Sequence, residues 1–261
     1  MCHDLNSRPP LPPIGGGAGA GPTEELVLEA KDGNRFAAFS ARSAVPGGPG
    51  IVILPDVRGL HPFYKDLALR FAEMGVHALA MDYFGRTAGT DARDDDFEFM
   101  PHVQKTTPDA IAMDVSASVD HLRSERGGGV ENVYTVGFCF GGRNSFNQAA
   151  RDHRLAGVIG FYGRVQAADA ADTNAPTLLA PTYRVPVLGL FGGADPGIPA
   201  DAVEGFRKTL DAAGVANEIV IYDGAPHSFF DRSFDEHRNA CDDAWIRILR
   251  FLGRAPAETM T

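Results

Sequence analysis

Short apolar runs alternate with longer stretches of helical periodicity along most of this chain. Residues 25–29 and 36–41 read as two strands around the turn Asp32-Gly33-Asn34, a hairpin signal. After the loop Gly47-Gly48-Pro49, the unbroken run Ile51-Val52-Ile53-Leu54 has the character of a strand covered on both faces. A helix is predicted over residues 62–74, through Phe63, Leu67, Leu69 and Phe71, with Gly75 as its stop. Residues 76–82 form the next strand, and a second helix follows over 108–126 with Ile111, Val115, Val119 and Leu122 on one side. The rest reads as strands at 133–138, 158–161, 187–191 and 218–222, separated by helices over 141–153 and 199–213 and followed by one over 234–252. Apolar strands alternating with helices of this length predict an α/β fold, with a mostly parallel central sheet of about seven or eight strands and helices on both faces. With no internal repeat, residues 23–261 are expected to form a single domain.

The first 22 residues break the pattern. Pro9, Pro10, Pro12, Pro13 and Pro22 are interspersed with Gly15, Gly16, Gly17, Gly19 and Gly21, so residues 1–22 are expected to be a flexible arm prone to polyproline II. The remaining composition, within 44% apolar and 22% charged residues over 261, is that of a globular chain. A net charge of −10 lacks the basic footprint that phosphate neutralisation requires, so no nucleic acid partner is expected. No run approaches the length of a membrane span, and the N-terminus has no basic region followed by an apolar one, so a cytoplasmic address is expected and no membrane partner. Cys2, Cys139 and Cys241 are an odd number without Cys-x-x-Cys spacing, which points to neither a disulfide framework nor a zinc site; no metal or cofactor is expected.

Parallel sheets collect chemistry in the loops beyond the C-terminal strand ends, and three chemically capable residues follow predicted strands. Residues 137–142 read Gly-Phe-Cys-Phe-Gly-Gly, a strand running into a tight Gly-x-Cys-x-Gly turn and then a helix. That is a nucleophile-elbow pattern with Cys139 in the nucleophile position, and the positive end of the following helix favours a thiolate there. Asp195 ends Phe191-Gly192-Gly193-Ala194-Asp195, and His227 lies five residues beyond Tyr222. The order nucleophile, acid, base is the α/β-hydrolase order and differs from other triad folds. His227 would accept the Cys139 proton, and Asp195 would fix the imidazole tautomer.

These motifs, with Pro226-His227-Ser228-Phe229 and Met81-Asp82-Tyr83-Phe84-Gly85-Arg86, resemble those of the dienelactone hydrolases over about residues 24–252. The resemblance implies an α/β-hydrolase fold, a Cys-Asp-His triad, hydrolysis of a small ester or lactone through a Cys139 thioester, and a monomer or homodimer. It also implies an oxyanion hole built from the backbone N–H groups of Phe140 and Val57. Asp56 stands where the family's best-known members carry a thiol-contacting glutamate, one methylene longer. Arg86 matches one of the arginines with which the family holds a substrate carboxylate. The second is expected four residues after the histidine, where this chain has Asp231, with Arg232 one further on. That departure leads to an expectation of weak discrimination in favour of carboxylate-bearing lactones. Tyr162 and Phe229, in loops past strand ends, are the aromatic candidates for the substrate pocket.

Two other readings remain open on the residues. A glutamine amidotransferase-like enzyme also carries Cys on such an elbow, but its acid follows the histidine by two residues, where this chain has Phe229. A binding protein with an inactive hydrolase site is the third reading, and a covalent thiol probe separates it from the others.

Overall fold

The structure, a computed structural model, describes residues 7–13, 19–93, 96–231 and 233–254. Eight strands are present among them: β1 Ala20–Glu29, β2 Arg35–Ser43, β3 Gly50–Leu54, β4 His77–Met81, β5 Val133–Phe138, β6 Gly157–Phe161, β7 Val187–Gly192 and β8 Asn217–Tyr222. The helices, in chain order, are α1 Pro62–Glu73, α2 Gly85–Ala88, α3 Met100–Val103, α4 Pro108–Arg123, α5 Phe140–Gln148, α6 Pro176–Leu179, α7 Ala200–Ala212 and α8 Arg238–Phe251. One sheet runs β1-β2-β4-β3-β5-β6-β7-β8, with β1 and β2 antiparallel and the remaining strands parallel to one another.

Every residue of β3, β4, β6 and β7 is buried, as continuous apolar strands must be when both faces of the sheet are covered. The sheet edge is different. β1 exposes most of its residues, and β8 is only partly covered. Two of the longer helices start on side-chain caps. His61 Nδ1 accepts the Phe63 N–H at 3.2 Å ahead of Pro62 in α1, and Thr107 Oγ1 accepts the Ala110 N–H at 3.2 Å ahead of Pro108 in α4.

Register is what gathers the functional loops. Leu54 pairs with Gly137, Phe138 with Phe161, and Gly192 with Tyr222, so β3, β5, β6, β7 and β8 finish near a common line. Val57, Cys139, Tyr162, Asp195 and His227 all come from the segments that leave those ends.

The N-terminal stretch departs from expectation. Residues 1–6 and 14–18 lie outside the described residues, but Ser7, Pro9 and Pro10 are buried, and β1 begins at Ala20, inside the stretch read as an arm. The physical reason is Trp245 on α8. Its fully buried indole needs an acceptor, and Nε1–H donates to the Pro10 carbonyl at 3.1 Å. A polyproline-like segment has no internal hydrogen bonds, so its carbonyls are available for that role. Arg8 adds an ion pair to Asp66 on α1 at 3.2 Å.

Candidate active site

Cys139 separates β5 from α5 at φ 55° and ψ −112°, a left-handed conformation that a residue with a side chain rarely adopts. The glycines around it make the turn possible by letting backbones meet. A Cβ on Gly137 would lie 1.9 Å from the Gly141 carbonyl oxygen, and one on Gly141 would lie 2.1 Å from that of Leu54. The turn is anchored by the Cys139 N–H donating to the Phe161 carbonyl at 3.0 Å, while the Cys139 carbonyl accepts the Arg143 N–H at 3.2 Å to open the helix. Tyr162 and Ser228 also have positive φ, at 36° and 61°; with Cys139 they place three strained residues around one site.

His227 and Asp195 meet across the loops after β8 and β7. The Nδ1 atom of His227 lies 2.5 Å from Oδ2 of Asp195. The other carboxylate oxygen accepts the Gly197 N–H at 2.9 Å. Burial works to raise the Asp195 carboxyl, but the hydrogen bond and charge of His227, with backbone N–H groups, outweigh it and hold it below its usual value. An ionised carboxylate only accepts, so Nδ1 carries the imidazole proton and Nε2 is left as the acceptor.

A cavity of about 260 Å³ is lined by Cys139, Phe140, Tyr162, Ile198 and His227 among others, so thiol, imidazole and the start of α5 face one space. The Tyr162 ring packs 4.9 Å from that of His227, centroid to centroid, and Tyr162 is otherwise buried. Among the described residues no group of three or more His, Cys, Asp or Glu side chains could hold a metal ion, and no helix is long and apolar enough to cross a membrane.

The remaining expected residues fall elsewhere. Asp56 is buried in the loop after β3, and its carboxylate is gripped by Arg58, whose Nη2 lies 2.8 Å away. The same guanidinium reaches Asp231 Oδ2 at 2.5 Å, and Nη1 donates to Ser7 Oγ at 3.4 Å. Asp231 is thus buried on Arg58, and burial lifts its carboxyl above the usual value against the pull of that guanidinium. Val57 lies between Asp56 and Arg58, half-buried. Phe229 is fully buried against Phe161, Tyr162 and Tyr222, with ring centroids 6.0, 5.7 and 5.1 Å away, so it is a core residue and not a cavity wall. Arg86 on α2 likewise does not line the cavity: it binds Asp114 at 2.5 Å and Asp32 at 2.8 Å. Arg232 lies outside the described residues.

Two charged cavity residues escaped the sequence reading, Arg143 and Arg164, along with Gly197 and Ile198. A signal for each arginine existed. Arg143 follows Cys139 by four positions, in the first turn of its helix, and Arg164 follows the β6 end by three.

A parallel sheet carrying an elbow thiol and a histidine–carboxylate pair at its C-terminal edge defines an α/β-hydrolase. The sequence model of the dienelactone hydrolase family matches residues 36–255, and the chain belongs to that family. An Escherichia coli O157:H7 protein named carboxymethylenebutenolidase is 30% identical over 226 residues, covering 84% of this chain and 82% of its own. A Bradyrhizobium sp protein named 2-oxo-3-(5-oxofuran-2-ylidene)propanoate lactonase is 26% identical over 238 residues, covering 88% of this chain and 95% of its own. The solved structure of a Klebsiella pneumoniae subsp. pneumoniae MGH 78578 protein named as a dienelactone hydrolase superposes with a TM-score of 0.78 at 27% identity, over 89% of this chain and 98% of that one.

Proposed function

We propose that this protein hydrolyses small carboxylic esters or lactones, in the manner of a carboxymethylenebutenolidase, through a thioester on Cys139. The observation that carries the reading is the Asp195–His227 pair at 2.5 Å, with His227 lining the same cavity as the elbow thiol. His227 Nε2 takes the Cys139 proton, and the thiolate attacks the substrate carbonyl carbon. The oxyanion so formed meets the backbone N–H groups of Phe140, at the start of α5, and Val57. Collapse breaks the carbon–oxygen bond, and His227 returns the proton to the departing alkoxide, which stays tethered if the substrate is a lactone. A water deprotonated by His227 then attacks the thioester, releasing the carboxylic acid and the thiol. Asp195, held ionised, keeps Nδ1 protonated and stabilises the transient imidazolium. Asp56 is a further candidate neighbour of the thiol, with its charge shared with Arg58.

The amidotransferase reading loses ground because the carboxylate on His227 comes from the loop after β7 and not from two residues downstream. The test is a panel of dienelactone, an aryl acetate and a small neutral lactone, with Cys139→Ala as control. Hydrolysis of at least one of them, abolished by Cys139→Ala, is expected; full activity in that variant would overturn the reading.

A further inference from the structure

Both positions at which the family holds a substrate anion are altered or otherwise occupied in this chain. Arg86 is committed to Asp32 and Asp114, and Asp231 is buried on Arg58. The cavity nonetheless has a cationic wall made of Arg143 and Arg164, and no Asp or Glu lines it.

The two arginines differ in what already answers their charge. Arg143 is clamped by both carboxylate oxygens of Asp172, at 2.6 and 2.8 Å, and donates to the Gln166 carbonyl at 3.3 Å. Asp172 is in turn fixed by the N–H groups of Ala168 and Asn174 at 2.8 and 3.2 Å. Arg143 is therefore a rigid wall whose charge is largely balanced. Arg164 is exposed and makes no hydrogen bond or ion pair among the described residues. It stands two positions after Tyr162, whose ring packs against His227. An unbalanced guanidinium on the wall of a nucleophile's cavity, in a chain of net charge −10, has no structural partner to serve among the described residues.

We infer that Arg164 is a specificity-determining residue, which holds a carboxylate carried by the substrate away from its reacting carbonyl. The inference rests on the ester-hydrolase reading for its substrate, though not for its charge. A planar guanidinium offers two parallel N–H donors to a carboxylate, which fixes orientation as well as adding attraction. Because Arg164 is exposed, solvent limits its worth to roughly 5- to 10-fold in selectivity.

The experiment compares mono-(4-nitrophenyl) glutarate with 4-nitrophenyl valerate, which share a leaving group and differ at the far end by carboxylate against methyl. The readout is the ratio of their kcat/KM values. Arg164→Gln should lower that ratio about 5- to 10-fold, chiefly through KM, and Arg164→Lys should retain part of it. Arg86→Gln should leave the ratio where it is. An unchanged ratio in Arg164→Gln, or an equal fall in Arg86→Gln, overturns the inference. A second measurement does not depend on hydrolysis: the rate of Cys139 alkylation by iodoacetate relative to iodoacetamide. Arg164→Gln should lower that ratio at least about twofold by removing the attraction for the anion, and an unchanged ratio again overturns the inference. If neither ester turns over, the hydrolase reading fails and the alkylation ratio still decides the role of Arg164.

Discussion

At the scale of single residues, the chemistry depends on how each charge is held. Asp195 and Asp231 are both buried aspartates near strand ends, yet their carboxyls move in opposite directions. Asp195 is held below its usual value because His227 and backbone N–H groups outweigh burial, and Asp231 is pushed up because burial outweighs Arg58. The sign fixes a pH window. A carboxyl depressed in the folded state stabilises the fold above its unfolded value, near pH 4, and that contribution is lost as pH falls through the lower folded value. The melting-temperature gap between wild type and Asp195→Asn should therefore be wide at pH 7 and narrow as pH falls below about 4; a gap independent of pH would contradict the assignment. In turnover at pH 7, His227→Ala should cost about 1,000-fold or more and Asp195→Asn somewhat less, because the carboxylate acts only through the imidazole.

At the scale of elements, the turn after β5 and the docked N-terminal segment show what sequence can and cannot reveal. The elbow was legible because steric demand writes itself into composition: a Cβ at Gly137 or Gly141 would strike backbone. Strands β3, β4, β6 and β7 were legible because burial on both faces leaves nearly unbroken apolar runs. The docking of residues 7–10 was not, since proline-rich composition reports the absence of local periodicity and says nothing about a distant indole. Trp245 lies 235 positions from the Pro10 carbonyl it binds. Arg86 was misread for a similar reason. Its place after a strand end was clear, but its partners Asp32 and Asp114 stand 54 and 28 positions away, and pairing at that range has no local signature. The docked segment carries its own prediction. Deleting residues 1–13 removes the Trp245 hydrogen bond and the cover given by Pro9 and Pro10, and should lower unfolding free energy by about 2 kcal/mol or more. A change of only a few tenths of a kcal/mol in chemical denaturation would show that the segment contributes nothing to the fold.

At the scale of the whole molecule, a parallel sheet converts order in the sequence into proximity in space. Cys139, Asp195 and His227 are spread over the C-terminal half of the chain, and aligned strand ends return them to one edge. The same arrangement explains why the cavity's cationic wall was harder to foresee: which residues past a strand end turn inward depends on loop paths, and Arg164 faces the cavity while Phe229 turns into the core. The central claim is that the thiol at the elbow becomes acylated during turnover. Acid-quenching the enzyme within its first turnovers of 4-nitrophenyl acetate, followed by peptide mass spectrometry, tests it most directly. An acetyl group on the peptide containing Cys139, absent in Cys139→Ala and accumulating in His227→Ala only slowly, is the expected result. Steady hydrolysis by wild type with no acyl group at Cys139, and undiminished hydrolysis by Cys139→Ala, would contradict the account.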